Sequence, residues 1–237
     1  MAENPKRIYY HATWCGNIES IKDRGLTPRT EQEAEQMVDA ILAEYGYTRE
    51  DVPKWRWQYA LERLKETASR VYLSADPMYA LQNCLAGFEA EAELRSHLES
   101  FRRHKKVHYY TLEEIVAKRG PDISCGICEV ELDDSEVEEL KHWKANWDRM
   151  SPEERQRWGL QTFEDYLRLL VEEGVSIIVK GPIPPERIKG CGCVGPTVHA
   201  LDKKEFARRA FQVYEELGLE MPEKRRERYE KYLKGEW

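Results

Sequence analysis

The sequence has no long apolar run. No stretch approaches the roughly 18 consecutive apolar residues that a membrane-spanning helix needs, so we expect no membrane partner. The opening residues, Met1–Arg7, contain no apolar core of the kind that a secretory signal requires. Both absences favour a cytoplasmic location.

The chain also lacks an excess of positive charge. Its formal net charge is −7 at pH 7, whereas binding to duplex nucleic acid usually depends on a basic face. The two basic runs, Arg102–Lys106 and Lys224–Arg228, are expected to be solvated helix faces. No Walker-type lysine loop is present, which argues against a P-loop phosphate site. Charged residues still make up 34% of the chain, a composition typical of thermophilic proteins.

The N-terminal segment predicts a strand, a turn and a short helix. The strand covers Ile8–Thr13 and ends in a His-Ala-Thr step that begins at His11. The helix covers Ile18–Arg24 and is followed by Gly25 and then by Pro28. Glycine commonly ends a helix and proline cannot continue one, so the helix is expected to stop at this point.

Two later segments complete a pattern with the first. Arg70–Pro77 is a predicted strand that contains Tyr72, and Ile177–Ile188 is an apolar strand followed by a proline-rich turn. In this order, the three segments resemble the ADP-ribosyltransferase fold superfamily, in its poly-ADP-ribose polymerase or His-Tyr-Glu branch. The resemblance implies an α+β fold with a split, mixed β-sheet and NAD as co-substrate.

The resemblance also implies roles for individual residues. In that family the histidine of the first strand hydrogen-bonds the adenosine ribose, and the backbone of the next residue pairs with the nicotinamide carboxamide. The tyrosine of the second strand stacks on nicotinamide, a small polar residue lies two positions on, and a further aromatic can supply a second face. The corresponding residues here are His11, Ala12, Thr13, Tyr72, Ser74 and Tyr79.

The sequence departs from the family at the third element. The family's glutamate opens the late strand, and the matching position here is Ser176. Glu173 lies just upstream. Either Glu173 reaches the cleft, or the protein works without a carboxylate there, or it is not catalytic. Loss of the glutamate fits mono-transfer rather than polymer synthesis, and it also fits a degenerate binding module.

The remaining segments are predicted to be largely helical, with one helix over Pro77–Arg103 and another that starts at Pro152 with Ser151 as its cap. Residues 29–69 are interpreted as a helical insert, with one helix over Glu31–Tyr45 and another that starts at Thr48. Residues 1–202 are expected to form one domain, on which a charged helical tail over 203–237 packs. Strands and helices do not alternate regularly, which favours the α+β class.

Cysteines form two tight pairs with glycines between them. Four thiolates can hold a tetrahedral zinc ion, the same residues can form disulfides, and reduced buried cysteines behave as small apolar residues. Free thiols are the favoured interpretation, and zinc remains a weak alternative. The residues concerned are Cys125, Cys128, Cys191 and Cys193.

Three functions follow from these patterns. The leading one is NAD-dependent mono-ADP-ribosyl transfer to a macromolecule, with protein favoured over nucleic acid as acceptor. The second is an inactive module of the same fold that binds a nucleotide, a nucleic-acid end or a peptide. The third is 2′-phosphate transfer from RNA to NAD, which requires arginines around the phosphate; Arg70 alone borders the second motif.

Overall fold

The computed structural model describes residues 6–84, 86–103, 124–172, 176–196 and 201–236. Within these residues a single five-stranded sheet is combined with helices on both of its faces. The protein is therefore of the α+β class, as the irregular order of strands and helices predicts.

The sheet is antiparallel at every described strand pair. Its order is β4-β2-β1-β3-β5. The prediction of a mixed sheet is therefore wrong for the described strands, because apolar alternation identifies a strand but does not fix its direction. The strands are β1 (Lys6–Trp14), β2 (Arg70–Ser74), β3 (Ser124–Asp133), β4 (Ser176–Lys180) and β5 (Ile188–Pro196).

Ten α-helices lie within the described residues. They are α1 (Ile18–Arg24), α2 (Glu31–Glu44), α3 (Trp55–Glu66), α4 (Pro77–Gln82), α5 (Ala86–Arg103), α6 (Glu138–Arg149), α7 (Pro152–Arg157), α8 (Phe163–Glu172), α9 (Lys203–Glu216) and α10 (Glu223–Lys234). Capping boxes begin two of them, at Thr30 for α2 and at Ser151 for α7.

Two helix predictions need correction. Thr48 does not start a helix: its backbone N–H and hydroxyl bond to Asp51, which closes a turn, and α3 begins only at Trp55. The region Pro77–Arg103, predicted as one helix, is divided into α4 and α5 around Asn83. A side chain that bonds nearby backbone favours a turn over a helix start, which explains the first difference.

The two faces of the sheet carry separate cores. The alternation of side chains along β1 directs Tyr9 to one face and Tyr10 to the other. Tyr9 packs with residues of α1, α6 and α8, and we call this side the α8 face. Tyr10 packs with residues of α4, α9 and α10, and we call this side the α9 face.

The predicted insert closes on itself. The N–H of Ser69 donates to the carbonyl of Arg29 at 2.8 Å, so the chain leaves and returns at one place. Between these residues, α2 and α3 pack with α5 around a third cluster that includes Val38, Leu64 and Leu94. The insert helices therefore share an apolar core with α5.

One bridge joins the first and third motifs. The backbone N–H groups of Leu26 and Ile183 each donate to the other's carbonyl, at 2.9 Å in both directions. Gly25 precedes this bridge with φ 76° and ψ −167°. The Gly-Leu step and the proline-rich turn are thus in direct contact, although about 160 residues separate them in the sequence.

No described helix combines the length and apolar character that crossing a membrane demands.

Candidate functional site

The three motif strands are neighbours in the sheet. Tyr10 of β1 is in register with Ser74 of β2, and Ser74 is in register with Ser176 of β4. Within the described residues, Tyr10 and Ser74 are the one pair in register between β1 and β2. Beyond that pair, the stretch His11–Trp14 continues to pair with β3 but not with β2.

His11 occupies the point where β1 and β2 separate. Its Nδ1 lies 3.0 Å from the carbonyl oxygen of Tyr72. A carbonyl only accepts, so Nδ1 carries the hydrogen and Nε2 of the neutral ring is an acceptor. Burial lowers the pKa of His11 below 6.5 more than the Tyr72 hydrogen bond raises it. His11 is therefore a neutral imidazole with a fixed tautomer at pH 7.

This pKa shift predicts a loss of stability in acid. Because the pKa of His11 is lower in the folded than in the unfolded chain, the unfolded chain binds the proton first as the pH falls. Its stabilising contribution is complete above pH 6.5 and is lost as the pH falls through and below that value. Urea denaturation at pH 7.5 and pH 5 should show a smaller fall in unfolding free energy for His11→Asn than for the wild type.

His97 provides the internal reference for that experiment. Burial and the charge of Arg56 lower its pKa as well, so His97 causes an acid loss in both proteins. If the unfolding free energy of the wild type and of His11→Asn fell by the same amount between pH 7.5 and pH 5, His11 would not titrate as we expect.

Thr13 and Ala12 hold the end of β1 in different ways. Thr13 is buried; its hydroxyl accepts from Asn17 Nδ2 at 3.1 Å and its carbonyl accepts from the Cys84 thiol at 3.4 Å. Ala12 is half-buried and packs against the core of the α9 face. These contacts fix the backbone that follows His11.

The second motif presents one exposed ring and one buried hydroxyl. Tyr72 is 37% exposed, which leaves its ring available to a ligand. Ser74 is 3% exposed, and its Oγ accepts from the N–H of Asp76 at 3.0 Å. Ser74 thus supports the turn into α4. Tyr79 is half-buried in the first turn of α4, where its N–H donates to Asp76 Oδ1 at 2.7 Å.

Asp76 organises this region and was missed by the sequence analysis. It is 2% exposed, caps α4, accepts from the Tyr214 hydroxyl and pairs with the Arg225 guanidinium. Burial and the adjacent Asp76 charge raise the pKa of Tyr214 well above 10. The Asp-Pro step of a helix start could have identified Asp76 as a cap. Nothing local indicates its partners on α9 and α10.

Ser176 stands where the resemblance implies a glutamate. Glu173 lies outside the described residues, and Ser176 opens β4 beside Ser74. Glu129 on β3 is in register with Tyr10. Burial first, and then the charges of Glu129 and Asp76, raise the pKa of Tyr10. Glu129 is therefore a second carboxylate near the motif strands that the sequence analysis missed, although the alternation of β3 could have indicated it.

The four candidate zinc ligands do not come together. Cys125 is buried on the α9 face beside Cys84, whereas Cys128 lies on the α8 face. Residues three apart on a strand point to opposite faces, and this separates the two ends of the Cys-x-x-Cys pair. Among the described residues no group of three or more His, Cys, Asp or Glu side chains is arranged to hold a metal.

The other three cysteines of that set are in disulfides, against the prediction of free thiols. Cys128 bonds to Cys191, and Cys193 bonds to Cys15, which lies outside both predicted pairs. Among the described cysteines, Cys84 and Cys125 are the two that form no disulfide. Disulfides are rare in cytosolic proteins outside hyperthermophiles. The two bonds therefore fit the predicted cytoplasmic location only together with the thermophilic composition.

Two further features do not belong to this site. Gly190–Gly195 has Gly-x-Gly-x-x-Gly spacing but lies inside β5, whereas a dinucleotide loop joins a strand to a helix. An apolar cavity of about 230 Å³ lies on the α8 face, between the sheet on one side and helices α6 and α8 on the other, and its lining includes Tyr9 and Trp143. It is separate from the motif site, because neither His11 nor Tyr72 lines it. The motif residues lie instead on β1 and β2, which share one register pair among the described residues.

No family model matches the chain, and a comparison with curated proteins found no match.

Proposed function

We propose that this protein transfers ADP-ribose from NAD to a macromolecule, as a mono-ADP-ribosyltransferase. The observation that carries the proposal is the meeting of three distant sequence motifs on adjacent strands, with β1 and β2 in register at one pair only. An opening between the first two motif strands is what a split sheet of the ADP-ribosyltransferase type would contain. The proposal therefore rests on long-range geometry as well as on the motifs.

The residues around the opening suit the recognition of a dinucleotide. The neutral His11 offers Nε2 as an acceptor to a ribose hydroxyl. The part of β1 from Ala12 to Thr13 has no register partner on β2, so its backbone groups on that side can pair with a carboxamide. The exposed ring of Tyr72 can stack on nicotinamide.

The transfer step needs stabilisation of positive charge. Breaking the nicotinamide–ribose bond produces an oxocarbenium-like ribose and releases neutral nicotinamide, and an acceptor nucleophile then forms the new bond to ribose. Glu173 or Ser176 would occupy the catalytic edge. A serine at the start of β4 cannot supply a negative charge at neutral pH, so we expect slow single transfers rather than polymer synthesis.

Transfer to a protein is the acceptor that we favour. Trp55 and Trp158 are 55% and 61% exposed, and the Arg56 guanidinium lies 4.4 Å from the Trp55 ring centre. Exposed tryptophan and arginine side chains are enriched at protein interfaces. Both aromatic residues belong to the elements outside the motif strands, where acceptor selection would take place.

The assay for this function uses labelled NAD and a cell lysate. We expect released nicotinamide together with label on protein. Tyr72→Ala should weaken NAD binding roughly 5- to 150-fold, the equivalent of the 1–3 kcal/mol that stacking of one base contributes. His11→Ala should act in the same direction, because it removes the acceptor at the ribose.

Tyr59→Ala is the matched control. Tyr59 is 46% exposed on α3, away from the motif strands, so its loss removes an exposed tyrosine without touching the opening. Because α3 also carries Trp55, the quantity to compare is the affinity for NAD, and Tyr59→Ala should retain the wild-type value. Full activity of both His11→Ala and Tyr72→Ala would refute the site, and label found on nucleic acid alone would refute a protein acceptor.

Ser176 favours a second candidate, a binding module without catalysis. In that case calorimetry would detect binding of NAD or ADP-ribose, and Tyr72→Ala would weaken it, while no nicotinamide would appear over hours. Release of nicotinamide by the wild-type protein at a rate that depends on His11 would exclude this candidate.

A further inference from the structure

Two disulfides lie side by side on one face of the sheet. Cys128 and Cys191 are directly opposite each other on β3 and β5, with 4.1 Å between their Cα atoms. Cys193 is two residues further along β5, opposite Gly126, and bonds to Cys15 across a Cα distance of 5.4 Å. Residues two apart on a strand share a face, so the two bonds are neighbours.

The two bonds differ in their access to solvent. Cys193 is exposed, and Gly16, next to its partner Cys15, borders open space, since an added Cβ there would meet no atom within 4 Å. Cys128 is 0% exposed, and Cys191 is half-buried against the core of the α8 face. A dissolved thiol therefore has more open access to Cys193 than to either cysteine of the Cys128–Cys191 bond.

The accessible bond restrains the end of the first motif strand. Cys15 immediately follows Trp14, the last residue of β1, and it opens the turn that leads to α1. Asn17, within that turn, holds the hydroxyl of Thr13. The bond to Cys193 ties this turn to β5, across 178 residues of sequence. Opening the bond would release the segment that positions Thr13.

We propose that Cys15–Cys193 is a thiol–disulfide exchange site for a dithiol reductant, and that Cys128–Cys191 is a structural bond which the folded protein protects. A thiolate of the reductant attacks Sγ of Cys193, and Cys15 leaves as a thiolate and takes up a proton. The second thiol of the reductant, as a thiolate, then attacks the reductant's own sulfur in the mixed disulfide, and Cys193 leaves as a thiolate and takes up a proton. Two electrons and two protons pass to the protein, and the reductant becomes a disulfide.

The test counts thiols in the full-length folded protein. It is treated with dithiothreitol for increasing times, alkylated, and digested for mass spectrometry. Exchange depends on access to the sulfur, so we expect Cys15 and Cys193 to be alkylated roughly tenfold or more faster than Cys128 and Cys191. The readout does not require ADP-ribosyl transfer, so it stands or falls independently of the proposed function.

Amide hydrogen exchange gives the structural readout. Dithiothreitol should raise the exchange rate over residues 14–18 in the wild type and in Cys125→Ser, whose sulfur is in no disulfide. In Cys193→Ser the rate should already be high, and the reductant should not raise it further. The same exchange pattern before and after reduction would contradict the release of the turn.

Three other results would overturn the proposal. One is equal alkylation rates at all four bonded cysteines, or faster alkylation of Cys128. Another is the isolation of the protein under air with six free thiols. The third is one zinc ion per chain held by Cys15, Cys128, Cys191 and Cys193, since a metal would then occupy the thiolates that exchange requires.

Discussion

Replacing Gly25 with alanine should destabilise the protein by about 2–6 kcal/mol, the sum of backbone strain and a collision in a packed region. Gly25 has φ 76° and ψ −167°, a conformation that side chains strongly disfavour. An added Cβ would collide with the carbonyl oxygen of Ile183 and approach Pro184 C and Pro185 N at 2.9 Å. The Leu26–Ile183 bridge would have to open, which would displace the proline-rich turn of the third motif.

Thermal unfolding measures this effect, and Gly46→Ala is its matched control. Gly46 has φ 78°, but an added Cβ would meet nothing within 4 Å. The control should lose only the backbone term of about 1–2 kcal/mol. Since 1 kcal/mol shifts Tm by about 2–4 °C in a chain of this size, Gly25→Ala should unfold at a clearly lower temperature. Equal shifts for the two variants would mean that close packing at Gly25 has no energetic role.

Replacing Asp76 with asparagine should cost about 3–5 kcal/mol, because it leaves a buried charge without its partner. Asparagine caps helices as well as aspartate does, so the substitution preserves the start of α4 and removes only the charge. The Arg225 guanidinium, largely buried, would then lose the carboxylate with which it pairs. The expected result is a large fall in the urea midpoint with an unchanged slope.

Asp202→Asn isolates the effect of burial. Asp202 caps α9 through the same contact, accepting from the N–H of Glu205 at 2.8 Å, but it is exposed. Its replacement should change stability by less than about 0.5 kcal/mol. Adding Arg225→Met to Asp76→Asn should recover part of the loss, since the buried positive charge is then removed as well. Similar small losses for Asp76→Asn and Asp202→Asn would contradict a buried ion pair.

Asp76 also links the tail to the candidate site. Its carboxylate joins α4, which follows Tyr72 and Ser74 directly, to Tyr214 on α9 and Arg225 on α10. The predicted tail over residues 203–237 is therefore bound to the second motif by a buried polar contact as well as by apolar packing. A loss of the pair should loosen the strand that carries Tyr72.

Signals between near neighbours in sequence determined much of the secondary structure. The strand at Ile8–Thr13, the helix at Ile18–Arg24, its end at Gly25 and the Ser151 cap all follow from residues a few positions apart. Such features depend on local hydrogen bonds and on side-chain periodicity, and both can be recognised from the order of residues in the sequence. The α+β class follows from the order of these elements.

The tertiary structure alone decided which distant residues meet. Strand direction, the pairing of Cys15 with Cys193, and the contact of Asp76 with Arg225 leave no local trace, because each depends on chain segments tens to hundreds of residues apart. The separation of Cys125 from Cys128 shows the same limit: their spacing fits zinc, but the pleat of β3 turns them to opposite faces. Sequence spacing indicates which residues could be in contact, and the geometry of the sheet determines which of them are.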